Sequence, residues 1–346
     1  MELVIGIGFG WVEKVAWPAE ELPQLETRLL NEWIRSGIVQ ARLVRGRVEW
    51  TAKGPLGRGI GGIGRTVTTI SSAGPRCSER ISLAGGAENI SLSYARENQQ
   101  QKYSLSVDLQ RAFQIQWQSL DPLSPWTIEL SQRPGEPVAL KVTGAATDRV
   151  WRARSLWHLA FEEPGTVQKY VIPLFGSFLP SVSLLGHTEQ VQREMLGLAQ
   201  ASRSPDRRRW EALVAQLADE QYTRRQAADR ALRQQGPAIV PFLRSLDWNL
   251  LDAEQRFRIR RILQALEPPG DEDSLTKVAH WLLDDAEIWW ILLDRPDLQT
   301  RRIAAQRLAQ LLGESIQFDP EAPAELRQVQ RQPLETKVRP ALQTPR

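Results

Sequence analysis

The sequence predicts an α+β chain of two domains: an N-terminal antiparallel β-meander, sandwich-like, followed by a C-terminal α-superhelix. Three observations predict it. Apolar residues alternate with a period of two from about residue 38 to residue 150. Past Trp151 the period becomes 3.6. Within that second half, helical segments resemble one another at long spacing. A chain of 346 residues is long enough to close two cores. With 42% hydrophobic and 25% charged residues it is neither a disordered chain nor an integral membrane protein.

Residues 1–37 are expected to form an N-terminal segment with a helix over about 19–36. Leu22, Leu25, Leu29, Leu30 and Trp33 recur there at helical spacing and would cover the dry face of the sheet. A second sheet layer would do the same work. The apolar run Leu3–Val12 is too short to span a bilayer, and Glu2 stands where an export signal carries Lys or Arg. A cytoplasmic location without a membrane span is therefore expected, with export left open by an upstream start.

The segment "GPLGRGIGGIGRTVTT" from Gly54 to Thr69 imitates a phosphate loop, Gly59-x-x-x-x-Gly64-Arg65-Thr66. A phosphate loop needs a helix directly after its glycines, so that free N–H groups and the helix dipole face the phosphates. Here β-branched residues follow, and Pro75 closes the stretch. The segment is expected to be a hairpin connection, and no cofactor is expected.

Residues 38–150 form the predicted β domain. "ISLSYA", "KYSLSVDL", "AFQIQWQ", "WTIEL" and "VALKV" each alternate apolar with polar residues, with short breaks between them. Such breaks are too short for crossover helices, which predicts an antiparallel meander with one wet and one dry face.

Residues 151–313 form the predicted helical domain. Ser204-Pro205-Asp206 reads as a helix start, Asp252 with Gln255 as a capping box, and Gly236-Pro237 and Pro268-Pro269-Gly270 as stops. "RRQAADRALRQQG" begins at Arg224 and "RRIAAQRLAQLLG" at Arg301, with "RRILQAL" at Arg260 between them. This pattern resembles HEAT-like helical repeats over about residues 206–313, and from 155 in a wider reading. The resemblance implies an Asp near the inter-helix turn, then Arg and small residues on the second helix. Asp219, Arg225, Ala228 and Leu232 match it, as do Asp294, Arg302, Ala305 and Leu308, although Leu308 comes one position early. Residues 314–346, with many Pro and Gln, are expected to be an extended or disordered tail.

Complete catalytic or metal-binding motifs are missing, so no catalytic and no metal residue is assigned. His158, His187 and His280 do not share ligand spacing on one helix. Cys77 is the single cysteine and offers no disulfide. Ser274-Leu-Thr-Lys277 matches S-x-x-K, but its upstream acids favour a plain helix start. The pairs Glu162-Glu163 and Asp284-Asp285 read as solvated helix ends.

A binding surface is the remaining candidate: Arg208, Arg224, Arg230, Arg256, Arg260 and Trp289. The HEAT-like resemblance implies a non-catalytic protein-binding or scaffolding role on the helical surface, with another protein as partner. The alternative is a nucleic-acid-associated protein, similar to HEAT-like DNA glycosylases, gripping phosphates with an Arg-rich concave face. A second alternative is an enzyme whose site is assembled from distant residues.

Overall fold

The computed structural model describes residues 27–52, 67–74, 77–85, 90–108, 110, 112–123, 125–144, 147–176, 178–201, 207–248, 250–266 and 272–339. The glycine-rich stretch through Thr66 lies outside them, as do residues 1–26 and the helix start at Ser204-Pro205-Asp206.

Helix α1 (Arg28–Arg35) buries Leu29, Leu30 and Trp33, the C-terminal part of the expected apolar stripe. Next come the hairpin β1 (Val39–Val44) and β2 (Arg47–Ala52). Eight strands then form an antiparallel meander: β3 (Val67–Ala73), β4 (Cys77–Gly85), β5 (Ile90–Asn98), β6 (Gln101–Val107), β7 (Phe113–Ser119), β8 (Trp126–Gln132), β9 (Val138–Gly144) and β10 (Thr147–Ala153). Since Val67–Ala73 is a strand, no helix follows the phosphate-loop imitation within its reach. The register sets Ile81, Tyr94, Leu105, Ile115, Leu130, Leu140 and Trp151 side by side on seven neighbouring strands. A one-residue slip of any strand would turn its apolar set to water, so the alternation fixes the pairing.

Both proposed covers of the dry face contribute. Glu79 on β4 accepts the backbone N–H of Arg28 at 3.3 Å and of Leu29 at 3.1 Å, which fastens the N-terminus of α1 to the sheet. The β1–β2 hairpin adds Trp50, whose ring lies 5.8 Å from Phe113. The helical part contributes a third layer. Phe175 stacks on Phe113 at 5.9 Å, and the Tyr103 hydroxyl donates to the Leu174 carbonyl at 3.0 Å.

The helical part consists of α2 (Leu156–Glu162), α3 (Pro164–Thr166), a π turn at Val167–Val171, α4 (Ile172–Phe175), a 3-10 segment at Pro180–His187 and α5 (Thr188–Ala201). It continues through α6 (Arg207–Gln216), α7 (Tyr222–Gln234), α8 (Val240–Ser245), α9 (Ala253–Leu266), α10 (Leu275–Leu282), α11 (Ala286–Leu292), α12 (Leu298–Leu312) and α13 (Ala324–Val338). The capping box is present: the Asp252 N–H donates to Gln255 Oε1 at 2.9 Å, and the Gln255 N–H to Asp252 Oδ1 at 2.7 Å. Among the described residues, no helix is long and apolar enough to cross a membrane.

Two expectations are corrected by packing. The tail is not wholly extended: Ala324–Val338 is helical, because Leu334 and Val338 find burial against the body of the molecule. The change of period near residue 150 is also not a boundary between cores. One continuous core runs from the sheet through Leu156, Phe175 and Met195 to Trp289, Leu308 and Leu334. The second core is internal to the helical part, with Trp210, Val214, Leu217, Ala228, Leu232, Phe242, Leu243, Ile259 and Ile262. Residues 207–266 thus form a unit with an interior of its own.

Candidate functional site

Two places combine chemistry-bearing side chains. The first is buried where α2, α11 and the end of α13 converge. Ser155 caps α2, its Oγ lying 2.8 Å from His158 Nδ1. His158 Nε2 is 3.1 Å from Asp285 Oδ2 and 3.8 Å from Glu287 Oε2. Arg154 Nη1 reaches both Asp285 oxygens at 3.1 Å, and Arg339 Nε reaches Glu287 Oε1 at 2.8 Å. Arg339 also donates to both carboxylate oxygens of Glu162, at 3.0 and 2.8 Å.

This geometry corrects the reading of Asp284-Asp285 as a solvated helix end, whereas Glu162-Glu163 does stand at the exposed end of α2. Asp285 is 9% exposed and Glu287 wholly buried. Asp284 pairs with Arg307 and Glu162 with Arg339. Burial pushes the Asp285 carboxyl up, but the hydrogen bond and charge of His158, with Arg154 and the Glu287 amide, outweigh it and hold the group below its ordinary range. The Glu287 carboxyl moves the opposite way: its burial raises it against the pull of His158 and Arg339.

A serine, histidine and aspartate linked by hydrogen bonds are the parts of a nucleophilic relay. Ser155 is 3% exposed, however, and no substrate carbonyl can approach its Oγ in this packing. One ligand atom from each of His158, Asp285 and Glu287 falls within 4.8 Å of the others, a donor set of zinc type. The fit fails on charge, because both carboxylates already hold guanidinium partners at 2.8–3.1 Å. A cation would compete there with the charges of Arg154 and Arg339. The cluster is a buried ion-pair network that joins α2 to α11 and α13.

A second polar joint lies close by in sequence. Asp273 accepts the N–H groups of Arg45 at 2.6 Å and Gly46 at 2.8 Å, and the Trp157 indole N–H at 2.9 Å. Arg45 and Gly46 form the β1–β2 turn, both at positive φ, so their successive amides make a concave anion nest. The nest is filled by the chain's own carboxylate, which burial pushes above its ordinary range. A Cβ on Gly46 would stand 2.8 Å from Ser155 Oγ and Trp157 Cδ1, so only glycine fits.

The second place is the exterior of the 207–266 unit. Arg224 is exposed and pairs with Asp219 at 3.3 Å. Arg230 is exposed on α7, and Arg256 is half-buried on α9. Arg260 is exposed, its guanidinium 5.6 Å from the Trp248 ring centroid. Arg208 belongs to α6. Trp289 is not a surface residue: it is fully buried, and its indole N–H donates to the Leu283 carbonyl at 2.7 Å.

Sequence reading overlooked the aromatic residues of this exterior. Tyr222 is 61% and Phe257 55% exposed. Guanidiniums of Arg225 and Arg258 lie 5.7 and 5.9 Å from the Tyr222 centroid, and that of Arg261 lies 5.7 Å from Phe257. The visible signal was their position: Tyr222 and Phe257 sit off the apolar stripe of their helices. Elsewhere, an open cavity of about 420 Å³ lies between α3 and the start of α5, lined by Gln168, His187, Thr188 and Arg193 among others. Ser274 caps α10, its Oγ accepting the Lys277 N–H at 3.4 Å, which is the helix-start reading of the S-x-x-K match.

The arginines of the inter-helix turns follow a register different from that of the Arg-Arg pairs. Arg225 Nη1 donates to the carbonyls of Asp219 and Glu220 at 2.7 and 2.9 Å. The residue that repeats this contact is Arg301, whose Nη1 donates to the carbonyls of Arg295 and Pro296 at 2.8 and 2.6 Å. Arg302 instead pairs with Glu321. Counted from the first helical residue, Arg225 and Arg301 are both fourth, Ala228 and Ala304 seventh, and Leu232 and Leu308 eleventh. In that register Leu308 is no longer one position early. Comparison with protein-family models, curated proteins and solved structures finds no match to this chain.

Proposed function

We propose that the protein is a non-catalytic binding or scaffolding protein that engages another protein through the helical surface of residues 207–266. The observation that carries this reading is a helical unit with its own interior, whose exterior holds two half-exposed aromatic rings under guanidiniums. Tyr and Arg are enriched in the few residues that supply most of the affinity of protein interfaces. A HEAT-like organisation is part of the proposal. It is supported by the shared Arg–Ala–Leu spacing of α7 and α12 and by the equal contacts of Arg225 and Arg301 with the preceding turn. Ser155 and His158, the pair closest to a nucleophilic relay, are enclosed, which also supports a binding role.

The test is site-specific photo-cross-linking in the native setting. A cross-linking residue is placed at Gln226 on α7 or Gln264 on α9, both exposed, and at Lys102 and Leu123 on the sheet side. Discrete cross-linked species from the helical positions and none from the sheet positions are expected. Cross-links confined to Lys102 and Leu123 refute the assignment.

A further inference from the structure

The chemistry of the bound partner rests on the surface reading just given and on the charge of that surface. Residues 207–266 contain twelve Arg, no Lys and seven acidic residues, a net charge of +5. The whole chain carries +3, which leaves −2 for everything else. The positive field of this protein is therefore concentrated in one helical unit.

Six of these twelve guanidiniums fall into two sets by their contacts. Arg224, Arg225, Arg233 and Arg258 are engaged by Asp219, Asp229 and Glu254. Arg260 and Arg261, outward on α9, meet aromatic rings instead, Trp248 and Phe257. A guanidinium stacked over a ring keeps its in-plane N–H donors directed outward, in the fork that matches a carboxylate. On α9, Phe257 lies between Arg260 and Arg261, which are about 100° apart around the helix, and Arg258 continues the same side to Tyr222 on α7. This exposed ridge therefore carries the Phe257 ring between the guanidiniums of Arg260 and Arg261.

We infer that this ridge binds a short acidic segment of a partner protein, its carboxylates on Arg260 and Arg261 and an apolar side chain against Phe257 and Tyr222. A phosphate backbone is the poorer fit. Binding a continuous polyanion calls for a run of uncommitted cations. Here Asp219, Asp229 and Glu254 are interleaved with the arginines and would repel successive phosphates.

The test uses the full chain and three fluorescein-labelled probes: a peptide alternating Glu with Leu, a peptide alternating Lys with Leu, and oligothymidylate. Fluorescence anisotropy at low salt is expected to show binding of the Glu–Leu peptide alone, weakening as salt is raised. The double variant R260E/R261E is expected to lose about tenfold or more in affinity, and F257A about threefold or more, with unchanged circular dichroism. Equal or tighter binding of oligothymidylate overturns the inference in favour of nucleic acid. So does an unchanged peptide affinity in R260E/R261E, or no peptide binding at low salt. Cross-links from Gln226 and Gln264 to a partner lacking acidic segments would keep the surface and refute only its acid preference.

Discussion

Replacing Asp273 by Ala removes the acceptor for three donors at once: the Arg45 N–H at 2.6 Å, the Gly46 N–H at 2.8 Å and the Trp157 indole N–H at 2.9 Å. A hydrogen bond to a charged group contributes about 1.5–3 kcal/mol net, so the gross loss is about 4–9 kcal/mol. Against this stands the cost of holding a carboxylate out of water, visible in the upward push that burial gives its pKa. Water entering beside the turn would also solvate some of the stranded donors. The expected net destabilisation is about 3 kcal/mol, and D273N, which keeps one acceptor oxygen, should lose about 2 kcal/mol. The assay is urea unfolding followed by far-UV circular dichroism, with hydrogen exchange read by mass spectrometry over residues 39–52. Exchange in that hairpin should accelerate more than in β7–β9. A loss below about 1 kcal/mol for D273A, with unaltered hairpin exchange, would refute the view that this carboxylate ties the turn to the helical part.

Three further outcomes are expected. R339A leaves Glu287 buried with its nearest cation gone, so it should cost about 3–5 kcal/mol in urea unfolding at pH 7, and R339A/E287Q should recover part of that loss. D285N should destabilise at neutral pH by about 2 kcal/mol. Because the Asp285 pKa is held below its unfolded value, its stabilisation is complete above the ordinary carboxylate range and lost as pH falls through the depressed folded value. Unfolding at stepped pH should therefore show the D285N and wild-type curves converging below about pH 4, and a difference constant down to pH 2 would contradict the assignment. L232A empties a fully buried position of the smaller core and should cost about 2–5 kcal/mol. Hydrogen exchange should rise across 207–266 and stay unchanged in β6–β9, whereas a uniform rise would show that the two cores unfold as one.

The sheet was legible residue by residue because strand pairing depends on a local pattern. Once Leu92, Leu105, Ile115 and Leu140 must share a dry face, alternation sets both the strands and their register. The helix signals at Asp252, Ser274 and Gly236 were equally local, since a cap involves residues three or four positions apart. The hairpin reading of the Gly54 region was not met: its residues through Thr66 lie outside the described ones, and the strands on either side, β2 and β3, belong to different sheets.

What escaped local reading was every contact between residues far apart in sequence. His158 and Asp285 are 127 residues apart, Arg339 and Glu162 are 177, and Asp273 meets Gly46 across 227. A carboxylate beside a helix end looks the same in sequence whether water or a guanidinium stands opposite. The same limit misplaced Trp289, which the chain buries, and left Phe257 unnoticed, which it exposes. Sequence by itself determined an antiparallel sheet followed by helices, because hydrogen-bonded periodicity is written over a few neighbouring residues. Only the tertiary structure decided which charges lie buried, where the second core begins and which rings face water, because desolvation depends on neighbours that folding, not chain order, supplies.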